Sequence, residues 1–228
     1  MSKAASAGHC NACGNVFDKA SMTRHLKSCL GTQAIATEPP ARIGSLKTLH
    51  LLAEGHYASG YWLHLDVPAG ATLEALDRFL RRTWLECCGH MSAFTIEDVR
   101  YSVSPSGGPF FGEPRESSMK KKLCDVLSHG LAFLHEYDFG TTTVLKLKVI
   151  AERKRAGNST NIEILARNDP PAIKCESCGK LAAQVCSQCL WESPAWFCEQ
   201  CAEKHECGEE MLLPVVNSPR VGVCGYCG

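Results

Sequence analysis

Three Cys-x-x-Cys pairs, Cys175/Cys178, Cys186/Cys189 and Cys198/Cys201, follow one another near the C-terminus, with His205, Cys207, Cys224 and Cys227 behind them. Two intervening residues let both thiols of a pair turn toward one atom, so this ladder commits the segment to fold around bound ions or covalent bridges. Disulfides suit secreted chains and use cysteines two at a time, whereas this chain has 15, an odd number, mostly at metal-ligand spacing. Thiolate sulfur with imidazole nitrogen points to tetrahedral zinc. An iron–sulfur cluster also takes thiolates, but the histidine and the regular ladder favour zinc.

Ten candidate ligands in this segment exceed the eight that two tetrahedral sites need. The order of the pairs resembles cross-braced modules such as B-box and MYND fingers, in which the first and third pairs share an ion. The resemblance implies one site of Cys175, Cys178, Cys198 and Cys201. It starts a second with Cys186, Cys189 and His205, leaving Cys207 or Cys224 as the fourth ligand. Sulfur-rich sets of four are closed and structural, whereas a catalytic zinc keeps a position open for water.

At the other end, Cys10-x2-Cys13-x11-His25-x3-Cys29 is a second metal signature. His25 and Cys29, four apart, share one face of a helix, and Phe17, Met22 and Leu26 can cover the ion. So small a unit cannot stand on apolar burial, and metal binding would supply most of its stability, about 10–16 kcal/mol in comparable fingers. The spacing, Gly14, His25-Leu26 and Ser28-Cys29-Leu30 resemble the ubiquitin-binding zinc fingers of DNA-repair proteins. Those fingers usually carry an aspartate two positions after the histidine, where this chain has Lys27. The metal expectation is therefore Zn2+, about three ions, one N-terminal and two C-terminal.

Charge separates the ends. Lys3, Lys19, Arg24 and Lys27 outnumber Asp18 up to Leu30, whereas Lys180, Lys204 and Arg220 face seven glutamates from Cys175 onward. A phosphate backbone would meet the first end, through Lys19, Arg24 and Lys27, because an anionic surface repels nucleic acid. No apolar run reaches membrane-spanning length and Met1 to Gly14 lacks an apolar signal core, which predicts a soluble, cytoplasmic protein with no membrane partner.

Between the ends the pattern is that of an ordinary domain, and 45% hydrophobic residues suffice for a core. Alternation predicts strands at Leu49–Ala53 and Tyr61–Val67. Thr72 can cap a helix with Leu73, Leu76, Phe79, Leu80 and Trp84 on one face, ending near Gly89. A strand is expected over Phe94–Val103, a Gly/Pro loop over Ser104–Pro114, and a second helix over Met119–His129. Leu131–Glu136 and Thr143–Glu152 form a hairpin turning at Tyr137-Asp138-Phe139-Gly140, and Ile162–Ala166 is a last strand. The predicted fold class is α+β: a central mixed or antiparallel sheet with two main helices, flanked by an N-terminal zinc finger and a C-terminal cross-braced zinc module. The expected divisions are finger 1–30, a loosely tethering linker 31–45, central domain 46–170 and cysteine-rich module 171–228.

In the central domain Trp62, Asp66-Val67-Pro68-Ala69, Thr72-Leu73-Glu74-Ala75-Leu76, Trp84-Leu85 and His90-x3-Phe94-x-Ile96 resemble the plasmid pRiA4b ORF-3-like family. So do Lys122-Leu123-x2-Val126-Leu127 and Tyr137-Asp138-Phe139-Gly140, and the tail Leu213–Arg220 ending in Cys224-Gly225-Tyr226 is similar to zinc-bearing members. Thr141-Thr142-Thr143 replaces the acidic residue and tryptophan common after the signature, and Leu63 and His64 replace arginines. The resemblance implies an α+β fold and a setting in plasmids and mobile elements, some members being labelled resolvase-like transposon passengers. It implies no established activity, and no activated serine among arginines stands in the chain to perform recombination.

These features together predict a non-enzymatic zinc-binding protein, a nucleic-acid- or protein-binding adaptor linked to mobile elements, with no catalytic residue assigned. Two alternatives are an enzyme of mobile-element DNA metabolism using Tyr137, Asp138 and His90, and an adaptor for a ubiquitin-like partner. Asp138 is expected to accept backbone hydrogen bonds in its turn, His90 to pack, and Cys87, Cys88 and Cys124 to lie on helices as buried small hydrophobes.

Overall fold

Leu49, Leu51 and Ala53 point one way along their strand and His50 and Leu52 the other, and the same alternation in Leu145–Val149 lets the two strands pair with one apolar face. The computed structural model describes residues 6–36, 45–105 and 115–228. In chain order the strands are β1 (Ala7–Cys10), β2 (Val16–Asp18), β3 (Ser45–Gly55), β4 (Trp62–Pro68), β5 (Ser92–Ile96), β6 (Val99–Ser102), β7 (Arg115–Ser118), β8 (Ala132–Tyr137), β9 (Thr143–Ala156) and β10 (Glu163–Asn168). They form one sheet in the order β2-β1-β10-β4-β3-β9-β8-β5-β6-β7, antiparallel except for the β6/β7 pair. A smaller sheet of β12 (Trp196–Phe197), β11 (Gln184–Cys186) and β13 (Leu212–Pro214) belongs to the C-terminal module.

Two α-helices cover opposite faces of the large sheet, α1 (Lys19–Ala36) and α2 (Leu73–Leu80); α3 (Leu123–Val126) and α4 (Glu199–Ala202) are single turns. Thr72 caps α2 by accepting the Ala75 amide at 3.2 Å, and Leu73, Leu76 and Leu80 vanish into the front face of the sheet. Each such side chain contributes roughly 1.5–3 kcal/mol by leaving water. A π-helical turn, Arg81–Leu85, continues α2 and aims Trp84 and Leu85 into the same core. Val185, Ala195 and Val221 of the C-terminal segment join that core.

The finger is built into the molecule rather than loosely tethered. β1 pairs with β10, and Met22 and Leu26 of α1 pack with Trp62, Leu165 and Ala166 on the back face of the sheet. The expected linker lies mostly outside the described residues, and α1 itself runs on to Ala36. Under α1, His50 Nε2 and His64 Nδ1 stand 2.8 Å apart, both buried.

Two expectations of local structure fail for identifiable reasons. The helix expected over Met119–His129 shrinks to α3 because the carbonyls of Met119 and Lys121 accept the Glu74 and Leu73 amides, and the Leu123 and Cys124 amides reach back to Ala71 and Ala69. Groups engaged across to another segment are not free for helical bonding. The strand expected over Phe94–Val103 is instead the hairpin β5–β6, turned at Glu97 with φ 52°. The expected Ser104–Pro114 loop lies largely outside the described residues.

Candidate metal centres

In the finger, the β1–β2 turn carries Cys10 and Cys13, closed by the Gly14 amide on the Cys10 carbonyl at 2.8 Å, with Gly14 in the left-handed region at φ 74°. Asp18 caps α1 by accepting the Ala20 and Ser21 amides at 2.9 and 3.0 Å, which sets the helix so that His25 and Cys29 face the turn. Cys13 Sγ lies 3.2 Å from His25 Nε2, and the Phe17 ring stacks on His25 with centroids 4.3 Å apart. The Asn15 amide lowers the Cys13 thiol, whereas burial and the neighbouring sulfurs of Cys13 and Cys10 push Cys29 up to about 11. Thiols this close resist ionising together, and a cation among them removes that resistance.

The C-terminal ladder folds into two such groups. Cys175 and Cys178 sit on a turn closed at Gly179, and Cys198 begins α4, whose Cys201 faces back toward them. Cys178 Sγ and Cys198 Sγ are 3.6 Å apart. Burial would raise the Cys175 thiol, but amides of Cys198, Cys178 and Ser177 aimed at its sulfur bring it down to about 6. The sulfurs of Cys198 and Cys178 push Cys201 up to about 12.

Cys186, Cys189, His205 and Cys207 form the second group, with Cys189 Sγ 3.6 Å from His205 Nε2 and 3.5 Å from Cys207 Sγ. Of the two possible fourth ligands, Cys207 and Cys224, the structure brings in Cys207. Cys224 lies elsewhere, because Ser218 and the fully buried Arg220 pin the chain before it to the central domain.

That displaced residue completes a further group, Cys87, Cys88, His90 and Cys224. Cys87 and Cys88 follow the π-helical turn rather than lying on a helix, and Cys88, like Cys124, is exposed, so neither thiol is a buried filler. His90 Nε2 is 3.3 Å from Cys224 Sγ. Burial would raise the Cys87 thiol, but the Arg220 N–H and charge bring it down, and its sulfur in turn pushes Cys88 up to about 11. The group escaped sequence reading because Cys87-Cys88-x-His90 has no recognised ligand spacing and its fourth member is 134 residues away. Adjacent cysteines followed by a histidine were the available signal.

All four groups hold their candidate ligand atoms within 4.8 Å of one another. The sulfur pairs at 3.5 and 3.6 Å are far beyond the roughly 2.05 Å of a disulfide. They match the edge of a tetrahedron whose centre is about 2.3 Å from each sulfur, roughly 3.7 Å. Every cysteine except Cys124 and Cys227 belongs to a group that can hold a metal ion.

Tyr137, Asp138 and His90 do meet, with His90 Nε2 3.7 Å from Asp138 Oδ2, but each is engaged: Tyr137 donates to Glu86 at 2.9 Å and Asp138 accepts Arg220 at 2.7 Å. Asp138 also accepts the Gly140 and Thr141 amides of its turn, at 3.1 and 3.3 Å. Lys19 is half-buried in an ion pair with Glu54, so of the basic residues on the finger helix Arg24 and Lys27 face solvent. A cleft of about 620 Å³ is lined by Ser6, Lys19, Tyr57, Tyr61 and Pro171 among others, away from all four groups.

Fold and sites together define an α+β protein with Cys/His groups positioned for metal at both ends of the chain and at the edge of its central domain. No family model matches the sequence, and no curated protein does. Among solved structures, a protein of unknown function, MM3350 from Methanosarcina mazei Go1, is similar at a TM-score of 0.48 and 20% identity, over 59% of this chain and 76% of that one.

Proposed function

We propose that this chain is a zinc-stabilised binding protein without chemistry of its own, and that it engages nucleic acid through the back face of its sheet. The observation that supports zinc is the ligand sets: Cys10/Cys13/His25/Cys29, Cys175/Cys178/Cys198/Cys201 and Cys186/Cys189/His205/Cys207 each offer four donors, and sulfur-rich sets of four leave no place for a catalytic water.

The partner is read from the balance of charge among the described residues. On the back face, Glu54 is taken by Lys19 and Glu136 by Arg100, while Lys146 and Lys148 of β9 are exposed there. Lys27 and Arg24 of α1 are exposed as well, and Lys27 stands near enough to His50 to add to the lowering of its pKa that burial and Arg153 impose. Cations whose acidic neighbours are already engaged are what a phosphate backbone selects. The resemblance of the central domain to pRiA4b ORF-3-like proteins supports a mobile-element setting. A second reading, a protein partner, is favoured by exposed Trp191 and Tyr57, 77% and 86% accessible, which line one groove with Pro219 and Val223.

Titration of labelled single- and double-stranded oligonucleotides across a salt series tests the first reading. The expected result is binding whose logarithm falls linearly with log salt. The slope should become shallower by roughly 0.7–0.9 for each phosphate no longer neutralised in Lys27→Glu, Lys146→Glu and Lys148→Glu. Binding unchanged in the triple variant, or no binding of either oligonucleotide by the wild-type chain, defeats it. Metal analysis of the purified chain tests zinc separately.

A further inference from the structure

We propose that Cys87, Cys88, His90 and Cys224 bind a further zinc ion, and that this ion fastens the C-terminal segment to the central domain. The inference rests on the zinc reading of the other three groups but concerns a different set of ligands. Its donors, three sulfurs and an imidazole, are those of the finger and of the Cys186/Cys189/His205/Cys207 group, gathered to the same 4.8 Å limit. Ordinary reasons for such a gathering do not apply. Cys88 and Cys224 are exposed, so burial of small apolar side chains does not collect them, and no sulfur is bridged.

The surroundings are built to present these atoms. The Tyr137 hydroxyl, on a fully buried ring, accepts the amides of Cys87 and His90 at 3.4 and 3.3 Å, so the ligand loop wraps one phenol oxygen. Glu86 holds that hydroxyl at 2.9 Å and the Gly89 amide at 2.6 Å, closing the turn that Gly89 makes at φ 74°. On the other side Ser218 donates to the Trp84 carbonyl at 2.6 Å, and Cys224 takes a left-handed φ of 50° that sends its thiol toward His90. Arg220, with no solvent exposure, directs Nη2 at Cys87 Sγ, 3.5 Å away. Three thiolates on a divalent ion carry one net negative charge, and a guanidinium against one of the sulfurs stabilises that charge as outer-shell donors do at thiolate sites.

The consequence is mechanical. His90 and Cys224 are 134 residues apart, and an ion between them closes that loop across the boundary between sheet and C-terminal module.

Native mass spectrometry of the full chain tests the proposal. Cys224→Ser and His90→Ala are each expected to carry one zinc fewer than wild type, and Cys124→Ser and Cys227→Ser none fewer. Equal zinc in wild type and Cys224→Ser overturns it. Should the variants fail to fold, wild type alone decides by alkylation with iodoacetamide and peptide mapping. Cys88 and Cys224 are expected to react at least about tenfold more slowly than Cys124 and Cys227, and to lose that protection with EDTA, since a metal-bound thiolate is a poor nucleophile while ligated. Equal rates before chelation overturn it, and an intact mass lowered by two hydrogens would mean a bridge instead. A deficit confined to this centre leaves the other three standing; a chain free of zinc defeats both readings.

Discussion

Arg220 is completely buried, and its charge is answered from several sides. Nη2 binds Asp138 at 2.7 Å, Nη1 binds the Thr141 carbonyl and Thr143 Oγ1 at 3.1 and 2.9 Å, and its guanidinium lies 4.9 Å from the Tyr137 ring centre. Removing one partner of a buried pair leaves the other charge stranded, which costs about 3–5 kcal/mol. Arg220→Met is therefore expected to lose roughly that much stability in urea unfolding; a loss under about 1 kcal/mol would show that Asp138 is well solvated. The buried histidines give a pH signature. Burial depresses His50 to about 4 and His64 to about 3, from 6.5. Below pH 6.5 the unfolded chain takes up protons that the folded one refuses, so their contribution is complete above 6.5 and is lost as pH falls toward those values. Each histidine adds a slope of up to about 1.4 kcal/mol per pH unit. His50→Gln should flatten the stability curve between pH 6.5 and 4, and because acid release of any metal held by the Cys/His groups would be common to both proteins, the difference reports His50.

The finger owes its position to one close approach. A Cβ on Gly8 of β1 would stand 2.2 Å from the Arg167 carbonyl oxygen and 2.6 Å from the Trp62 ring, so only glycine lets β1 lie against β10 over that ring. Gly8→Ala is expected to cost about 1–3 kcal/mol and to speed amide exchange in β1 and β10; exchange unchanged in both would mean that the strands yield easily. A second element-scale device is the bulge in β9. Before it Lys146 and Lys148 face the back, and the extra residue after Val149 turns Arg153 and Arg155 to that same face, where both bind Asp66 at 3.2 and 3.1 Å. Strict alternation would have driven these arginines into the core.

At the scale of the molecule, the terminal modules and the central domain share interior. Val185, Ala195 and Val221 pack in the main core, and the Arg167 guanidinium donates to the Asn217 carbonyl at 2.6 Å. Cys198→Ser is accordingly expected to lower the unfolding temperature of the whole chain, with the near-ultraviolet signal of the central domain melting together with the module. A central transition unmoved by the substitution would show that the shared surface contributes little to stability.

Much of this was legible in order along the chain. Ligands four apart on one helix, or three apart in one turn, are local facts, so the finger could be read from spacing, whereas the pairing of Cys175/Cys178 with Cys198/Cys201 came from the resemblance to cross-braced modules. The period-two strands and the Thr72-capped helix were local too, and together they implied the α+β class. Tertiary structure alone decided what depends on distant chain meeting distant chain. It sent Cys224 to His90 instead of His205, engaged the backbone of Met119–Cys124 against the start of α2, paired Lys19 with Glu54, and laid the finger on the sheet. The physical reason is that periodicity and ligand spacing encode only near neighbours, whereas these juxtapositions arise from how buried surfaces fit once the sheet has formed.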